Sequence, residues 1–198
     1  MPAATAPGIL FAVVGPSGAG KDSVIGFARH VLADDPRVMF VRRVISRPAH
    51  DASEDHEPVS VAEFERRAAS GAFAVTWQAH GLHYGLPATS QHHVAAGGIA
   101  VANGSRQALD AVFETYADVQ VVEVVAAPEI IAGRLAARGR ESGDEIVARL
   151  KRSVAAYRGS ERAVTIDNSG ALDAAGDAFV RLIRERLACH PSALTKSG

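Results

Sequence analysis

The run GPSGAGKDS, from Gly15 to Ser23, sets two glycines and a lysine in the spacing G-x-x-x-x-G-K. Glycines so placed let successive backbone N–H groups curl around phosphate oxygens, and the lysine adds a mobile charge for the terminal phosphates of a nucleotide. The whole segment, Gly15, Pro16, Ser17, Gly18, Ala19, Gly20, Lys21, Asp22 and Ser23, is therefore the expected nucleotide-binding loop. In loops of this kind the residue after the lysine is usually a Ser or Thr whose hydroxyl meets magnesium. Here that place is taken by Asp22, and the serine comes one position later. One residue along a helix is a rotation of about 100°, so Ser23 does not simply take over. A carboxylate in the first turn of a helix is favoured by the dipole. Beside a triphosphate it is repelled unless a cation lies between them. Asp22 reads either as a ligand of Mg²⁺, directly or through water, or as a helix cap.

Arginines form the second chemical set. Arg42, Arg43 and Arg47 flank the end of an apolar run. Neighbours on a strand face opposite ways, which favours Arg43 and Arg47 as the ligand-facing pair. Arg134 and Arg138 stand four apart, on one face of a helix, with Arg140 and Arg149 beyond. They read as a phosphate clamp or as a solvated basic face of little energetic weight. Of the eight histidines, His80-x-x-His83 and His92-His93 invite a metal reading. No cysteine lies near them and no H-E-x-x-H occurs, so no zinc site is expected. Trp77 and Tyr84 read as pocket walls, with ordinary core packing equally open for Trp77.

These residues need a scaffold, and the pattern of the chain supplies one. ILFAVV (Ile9–Val14) is a continuous apolar run that ends in the Gly/Pro/Ser cluster, as a strand buried on both faces does. A helix is expected over Ser23–Ala33, with Val24, Ile25, Ala28, Val31 and Leu32 inward. VMFVRRVI (Val38–Ile45) reads as one strand, SRPAHDASEDHEPVS as a long loop, and VAEFERRAASG as a short helix closed by Gly71. AFAVTW, GGIAVANGS, VQVVEVVAA and AVTIDN are further strands. Helical stretches lie between them, one starting at Pro128. The alternation predicts an α/β fold with a mostly parallel sheet. The chain has 198 residues, 47% apolar and 22% charged, with net charge −1. That suits one soluble domain and argues against a strongly basic nucleic-acid binder. A single cysteine, Cys189, rules out an intramolecular disulfide. The leader, residues 1–8, has neither a basic nor an apolar region of a signal peptide, and no run approaches the roughly 20 apolar residues of a membrane span. The expectation is a cytoplasmic protein with one domain over 9–188, a flexible leader and a flexible tail over 189–198.

At this point the chain resembles a known family. GPSGAGK is the loop style of guanylate kinases, ARGRE looks like their lid, and HGLHYG resembles their GNYYG turn. The combination of GPSGAGKDS, ISR, W-x-A-x-G-L-x-YG, NGSR and RGRE is more similar to the ribose 1,5-bisphosphate phosphokinases of phosphonate degradation, from about Ile9 to Leu187. The resemblance implies a P-loop fold of nucleoside-monophosphate-kinase type, three layers α/β/α with a lid over 134–149 and a substrate region over 47–98. It implies ATP and Mg²⁺ as cofactors, and a phosphorylated sugar as acceptor. Neither nucleic acid nor membrane is implied as a partner, and the state is a monomer or homodimer. Lys21, Arg138 and Arg149 would be catalytic, with Arg134 and Arg138 on the nucleotide. Arg43, Arg47, His83, Tyr84, Asn103, Arg106 and Arg140 would hold the acceptor. Guanylate kinases read their base with a glutamate nine residues before the tyrosine of that turn, and here the position is Val75. Their second phosphate-loop arginine is near His50, and their Asp-containing strand end becomes VANGSR. The phosphate-handling parts are kept and the base-reading part is gone. Two alternatives remain: a nucleoside monophosphate kinase of altered base choice, and a nucleotide-binding scaffold without catalysis.

Overall fold

The first strand, β1 (Ile9–Val14), is buried at all six positions, as its unbroken apolar run requires. The computed structural model describes residues 8–47, 55–137 and 157–189. β1 is the middle of a five-stranded parallel sheet with β2 (Val38–Phe40), β7 (Ile99–Asn103), β8 (Val119–Val125) and β9 (Val164–Asp167), in the order β2-β7-β1-β8-β9. The alternation of β1 divides the core in two. Ile9, Phe11 and Val13 pack against α1 (Lys21–Val31) and α6 (Leu172–Cys189). Leu10, Ala12 and Val14 face the opposite layer, with Val94 of α3 (Ala88–Ala95) and Leu109 and Val112 of α4 (Leu109–Thr115). The result is the expected three-layer α/β/α arrangement. Phe11 meets Phe179 of α6 edge to face at 6.1 Å. Each such fully buried side chain contributes about 1.5–3 kcal/mol by leaving water.

A second, four-stranded sheet stands beside the first in the order β4-β3-β6-β5. Its strands are β3 (Arg43–Ile45), β4 (His56–Pro58), β5 (Phe73–Ala79) and β6 (Leu82–Pro87). α2 (Val61–Ala69) covers it, stacking Phe64 on Phe73 at 4.7 Å. VMFVRRVI is thus two strands in two sheets, broken at Val41-Arg42, and not the single strand that its apolar pattern suggests. β4 is also new. It lies within the stretch read as a loop, and its Pro58 is tolerated because β4 is an edge strand. α1 begins two residues earlier than expected, and Val31 is exposed at its far end. The N–H of the capping residue Leu32 closes on the carbonyl of Ala28, and the Leu32 side chain is buried in place of Val31. α5 (Pro128–Ala137) starts at its proline as expected. No described helix is long and apolar enough to cross a membrane.

Candidate active site

The site begins where β1 stops. Gly15 has φ 144°, and a Cβ there would lie 2.2 Å from the Val124 carbonyl oxygen on β8. Only glycine lets the loop leave the sheet so close to its neighbour. Gly20 caps α1 with φ 91°, and a Cβ there would meet Nδ2 of Asn168 at 2.3 Å. No side chain caps this helix, so its first-turn N–H groups point into the loop, the arrangement that favours phosphate. The Lys21 ammonium folds back on the carbonyls of Gly15 and Pro16 at 3.0 and 3.1 Å.

The loop is braced from behind. Arg134 of α5 donates to the carbonyls of Gly18, Ala19 and Asn168 at 3.4, 3.2 and 3.0 Å. Asn168, 2% exposed after β9, donates to Ala19 at 2.8 Å. Arg134 was expected to contact the nucleotide. Its guanidinium instead satisfies loop carbonyls, because α5 passes behind the loop, where those acceptors have no sheet partner. Arg138, Arg140 and Arg149, the other arginines of that region, lie outside the described residues, as does His50.

In front of the loop is a cleft of ≈ 350 Å³ between the carboxyl ends of the parallel strands and the second sheet. Ligands of open α/β sheets bind at such a place. The loop residues Gly15, Ser17, Gly18, Gly20, Lys21, Asp22 and Ser23 line one wall. Arg43, Arg47, Trp77, His80 and Tyr84 form the other, and Asn103 and Arg106 lie between. Arg43 is 7% exposed, its guanidinium over the rings of Trp77 and Tyr84 at 5.9 and 5.6 Å. These two rings stack at 5.3 Å with a 9° tilt. A charge this buried holds its direction, and cation–π contact keeps the planar fork in place. Arg42, next to it, turns outward to Asp55 and the His56 carbonyl, both at 2.9 Å.

His83 does not join the site. β6 alternates, and Tyr84 faces the cleft, so His83 points to the other side, its ring 5.4 Å from Phe64. The histidine that lines the cleft is His80. It sits with Gly81 in the two-residue turn between β5 and β6, both at positive φ, 50° and 72°. This is the hairpin geometry that twists with its strands. His93 is not among the residues that line the cleft; its Nε2–H donates to the Arg37 carbonyl at 3.0 Å.

Arg106 lies in a polar cluster that the sequence did not announce. It pairs with Glu123 of β8 and stands over the Tyr157 ring at 5.2 Å. The Tyr157 hydroxyl donates to Glu123 at 2.9 Å. Burial, reinforced by the hydrogen bond and charge of Glu123, pushes the Tyr157 phenol up to about 12. A lone carboxylate in the apolar run VQVVEVVAA was the available signal for Glu123. The polar end of TIDNSG was the signal for Asn168.

Asp22, at the mouth of the cleft, accepts a hydrogen bond from Asn103 Nδ2 at 2.6 Å. Among the described residues that neutral amide is its one hydrogen-bond partner. A carboxylate so placed, with hard oxygens and no ion pair to it among the described residues, suits a divalent cation.

No profile of a known protein family matches the chain. Individual relatives do. The ribose 1,5-bisphosphate phosphokinase PhnN of Brucella melitensis is 48% identical over 185 residues, which cover 93% of this chain and 96% of that one. The enzyme of the same name from Agrobacterium fabrum is 44% identical over 176 residues, 89% of this chain and 96% of the relative. Among solved structures, guanylate kinase from Anaplasma phagocytophilum superposes with a TM-score of 0.65 at 17% identity, over 96% of this chain and 89% of that one. That likeness shows the fold, and it matches the P-loop kinase architecture read from β1 and the loop. With identity near one half along almost its whole length, the chain belongs to the ribose 1,5-bisphosphate phosphokinase family.

Proposed function

We propose that the protein transfers the γ-phosphoryl group of ATP to the 1-phosphate of α-D-ribose 1,5-bisphosphate, giving ADP and 5-phospho-α-D-ribose 1-diphosphate. The observation that carries this reading is the make-up of the acceptor wall. Arg43 and Arg47 line it. Val75, where a base-reading carboxylate would be, is 4% exposed and packed in the apolar core with Leu86 and Val94. Such a wall suits phosphate, and among its described residues it places no carboxylate for the N–H groups of a base, which disfavours a base-bearing acceptor.

An oxygen of the acceptor phosphate forms the new bond to the γ-phosphorus, and the bond from that phosphorus to the β-bridging oxygen breaks as ADP leaves. A phosphate with a second pKa near 6 is mostly ionised at pH 7, so no general base is needed. The work left to the protein is placement and charge. Loop N–H groups and Lys21 hold the nucleotide phosphates, with Arg134 and Asn168 keeping the loop in shape. Arg43 and Arg47 orient the acceptor, Tyr84 and Trp77 stiffen Arg43, and Arg106 stands between the two walls with Asn103. Magnesium, when bound, neutralises charge on the β- and γ-phosphates; Asp22 is the residue of this chain that would hold it.

The test is ADP release from Mg-ATP with ribose 1,5-bisphosphate and GMP as parallel acceptors. Turnover with the sugar bisphosphate alone is expected. Turnover with GMP would overturn the reading of the acceptor wall.

A further inference from the structure

Resting on the nucleotide reading above, we propose that Asn103 is the second half of the cation site. Asp22 and Asn103 together form one composite holder for a divalent cation and its waters.

Charge is the first ground. The described lining of the cleft includes Lys21, Arg43, Arg47 and Arg106, and Asp22 is its one carboxylate. A cationic cleft suited to phosphate gains nothing from a lone anion at the loop unless a second cation accompanies the ligand.

Hydrogen-bond logic is the second. A carboxylate only accepts, so the Asn103 amide must turn its NH₂ toward Asp22, as the 2.6 Å contact has it. The amide oxygen is then forced to the other side. Asn103 is 8% exposed, and that oxygen is buried without a hydrogen-bond partner. A buried acceptor left unmet costs about 1–3 kcal/mol, so its place asks for a ligand.

Position is the third. Asn103 ends β7, beside β1, and so stands at the floor of the cleft directly across from the first turn of α1. Asp22 and Asn103 also line a smaller cavity of ≈ 120 Å³ with Arg29, Arg43 and Asp55, the last of which is paired with Arg29 and Arg42. Both donors are hard oxygens of the kind magnesium takes one or two of, its other places going to water and phosphate. In this holder Asn103 aims the carboxylate with its N–H, and its unmet oxygen, turned away from Asp22, accepts from a water of the ion's shell.

The experiment is calorimetric titration of a non-hydrolysable ATP analogue in excess Mg²⁺ and in EDTA, with no acceptor present. The quantity read is the ratio of the two affinities. Asp22→Asn, an isosteric change at an exposed position, is expected to tighten metal-free binding and weaken metal-bound binding. The ratio then falls about tenfold or more, the size expected of one charge a few ångströms from another. Asn103→Leu should lower the ratio without tightening metal-free binding. The double exchange Asp22→Asn with Asn103→Asp should bring the ratio back toward that of the parent protein. An unchanged ratio in Asp22→Asn would overturn the proposal and leave Asp22 as a first-turn carboxylate favoured by the helix dipole. A fall in that variant, with no effect of Asn103→Leu and no recovery in the double exchange, would overturn the role of Asn103. A wrong acceptor in the preceding section would appear only in the ADP assay, so the two failures are separable.

Discussion

Replacing Arg43 by lysine keeps one positive charge and removes the planar fork. The side chain is 7% exposed and lies over two rings at 5.6 and 5.9 Å, so an ammonium there keeps the charge but gives up the planar stacking on the rings and one of the fork's paired N–H donors. A charge-assisted hydrogen bond to acceptor phosphate accounts for about 1.5–3 kcal/mol, and the ring contacts for about 0.5–1 kcal/mol more. A net loss of about 2–4 kcal/mol in transition-state binding lowers kcat/KM for the acceptor about 30- to 1,000-fold. Arg43 is on the wall opposite the loop, so KM for ATP should move by less than about threefold. The assay is coupled ADP release with the acceptor varied at saturating ATP, then with ATP varied at saturating acceptor. Equal losses in both series would mean that Arg43 serves the nucleotide. A change under about threefold in the acceptor series would mean that the buried guanidinium only supports the stack of Trp77 and Tyr84. Either result would refute the division of the cleft into two walls.

His80→Ala should lower kcat/KM for the acceptor, whereas His83→Ala should leave it unchanged and cost under about 1.5 kcal/mol of stability in urea unfolding, through lost packing on Phe64. The reverse pattern would restore the assignment of His83 to the cleft. Burial, with the hydrogen bond and charge of Glu123, pushes the Tyr157 phenol up to about 12 from the usual value near 10. Its proton is therefore held more tightly in the folded state. The stability this gives is fully present below about pH 10 and lost as pH rises toward 12. Tyr157→Phe should remove that component from the alkaline limb of a stability–pH curve, and an unaltered limb would contradict the cluster with Glu123.

How much of this was readable from the residues depends on how local each cause is. The loop was legible because its requirements are local: glycines where φ is positive and a lysine at the helix start. β1 was legible because burial on both faces leaves no polar residue in six. The break between β2 and β3 was not, since no glycine or proline marks it and only the pairing of Val38 to Phe40 with β7 and of Val44 and Ile45 with β6 decides it. β4 was hidden for a related reason. His56-Glu57-Pro58 has no strand pattern and is extended because β3 pairs with it. The side chains followed the same rule. Tyr84 lines the cleft and His83, one residue away, does not, because parity on β6 is fixed by the partner strand. Arg134 carries the right charge in the right region, but whether a guanidinium meets phosphate or carbonyls depends on the path of α5.

The switch of sheets at Val41-Arg42 has a consequence for how the protein can change. β2 and β7 are neighbours in the parallel sheet, and the acceptor wall, from Arg43 to Tyr84, lies between them in the chain. It is one contiguous cassette inserted between two paired strands. Among the described residues no strand pairing joins its sheet to the other, so acceptor recognition can be rewritten by substitution at its cleft-lining positions while the register of the nucleotide sheet stays as it is.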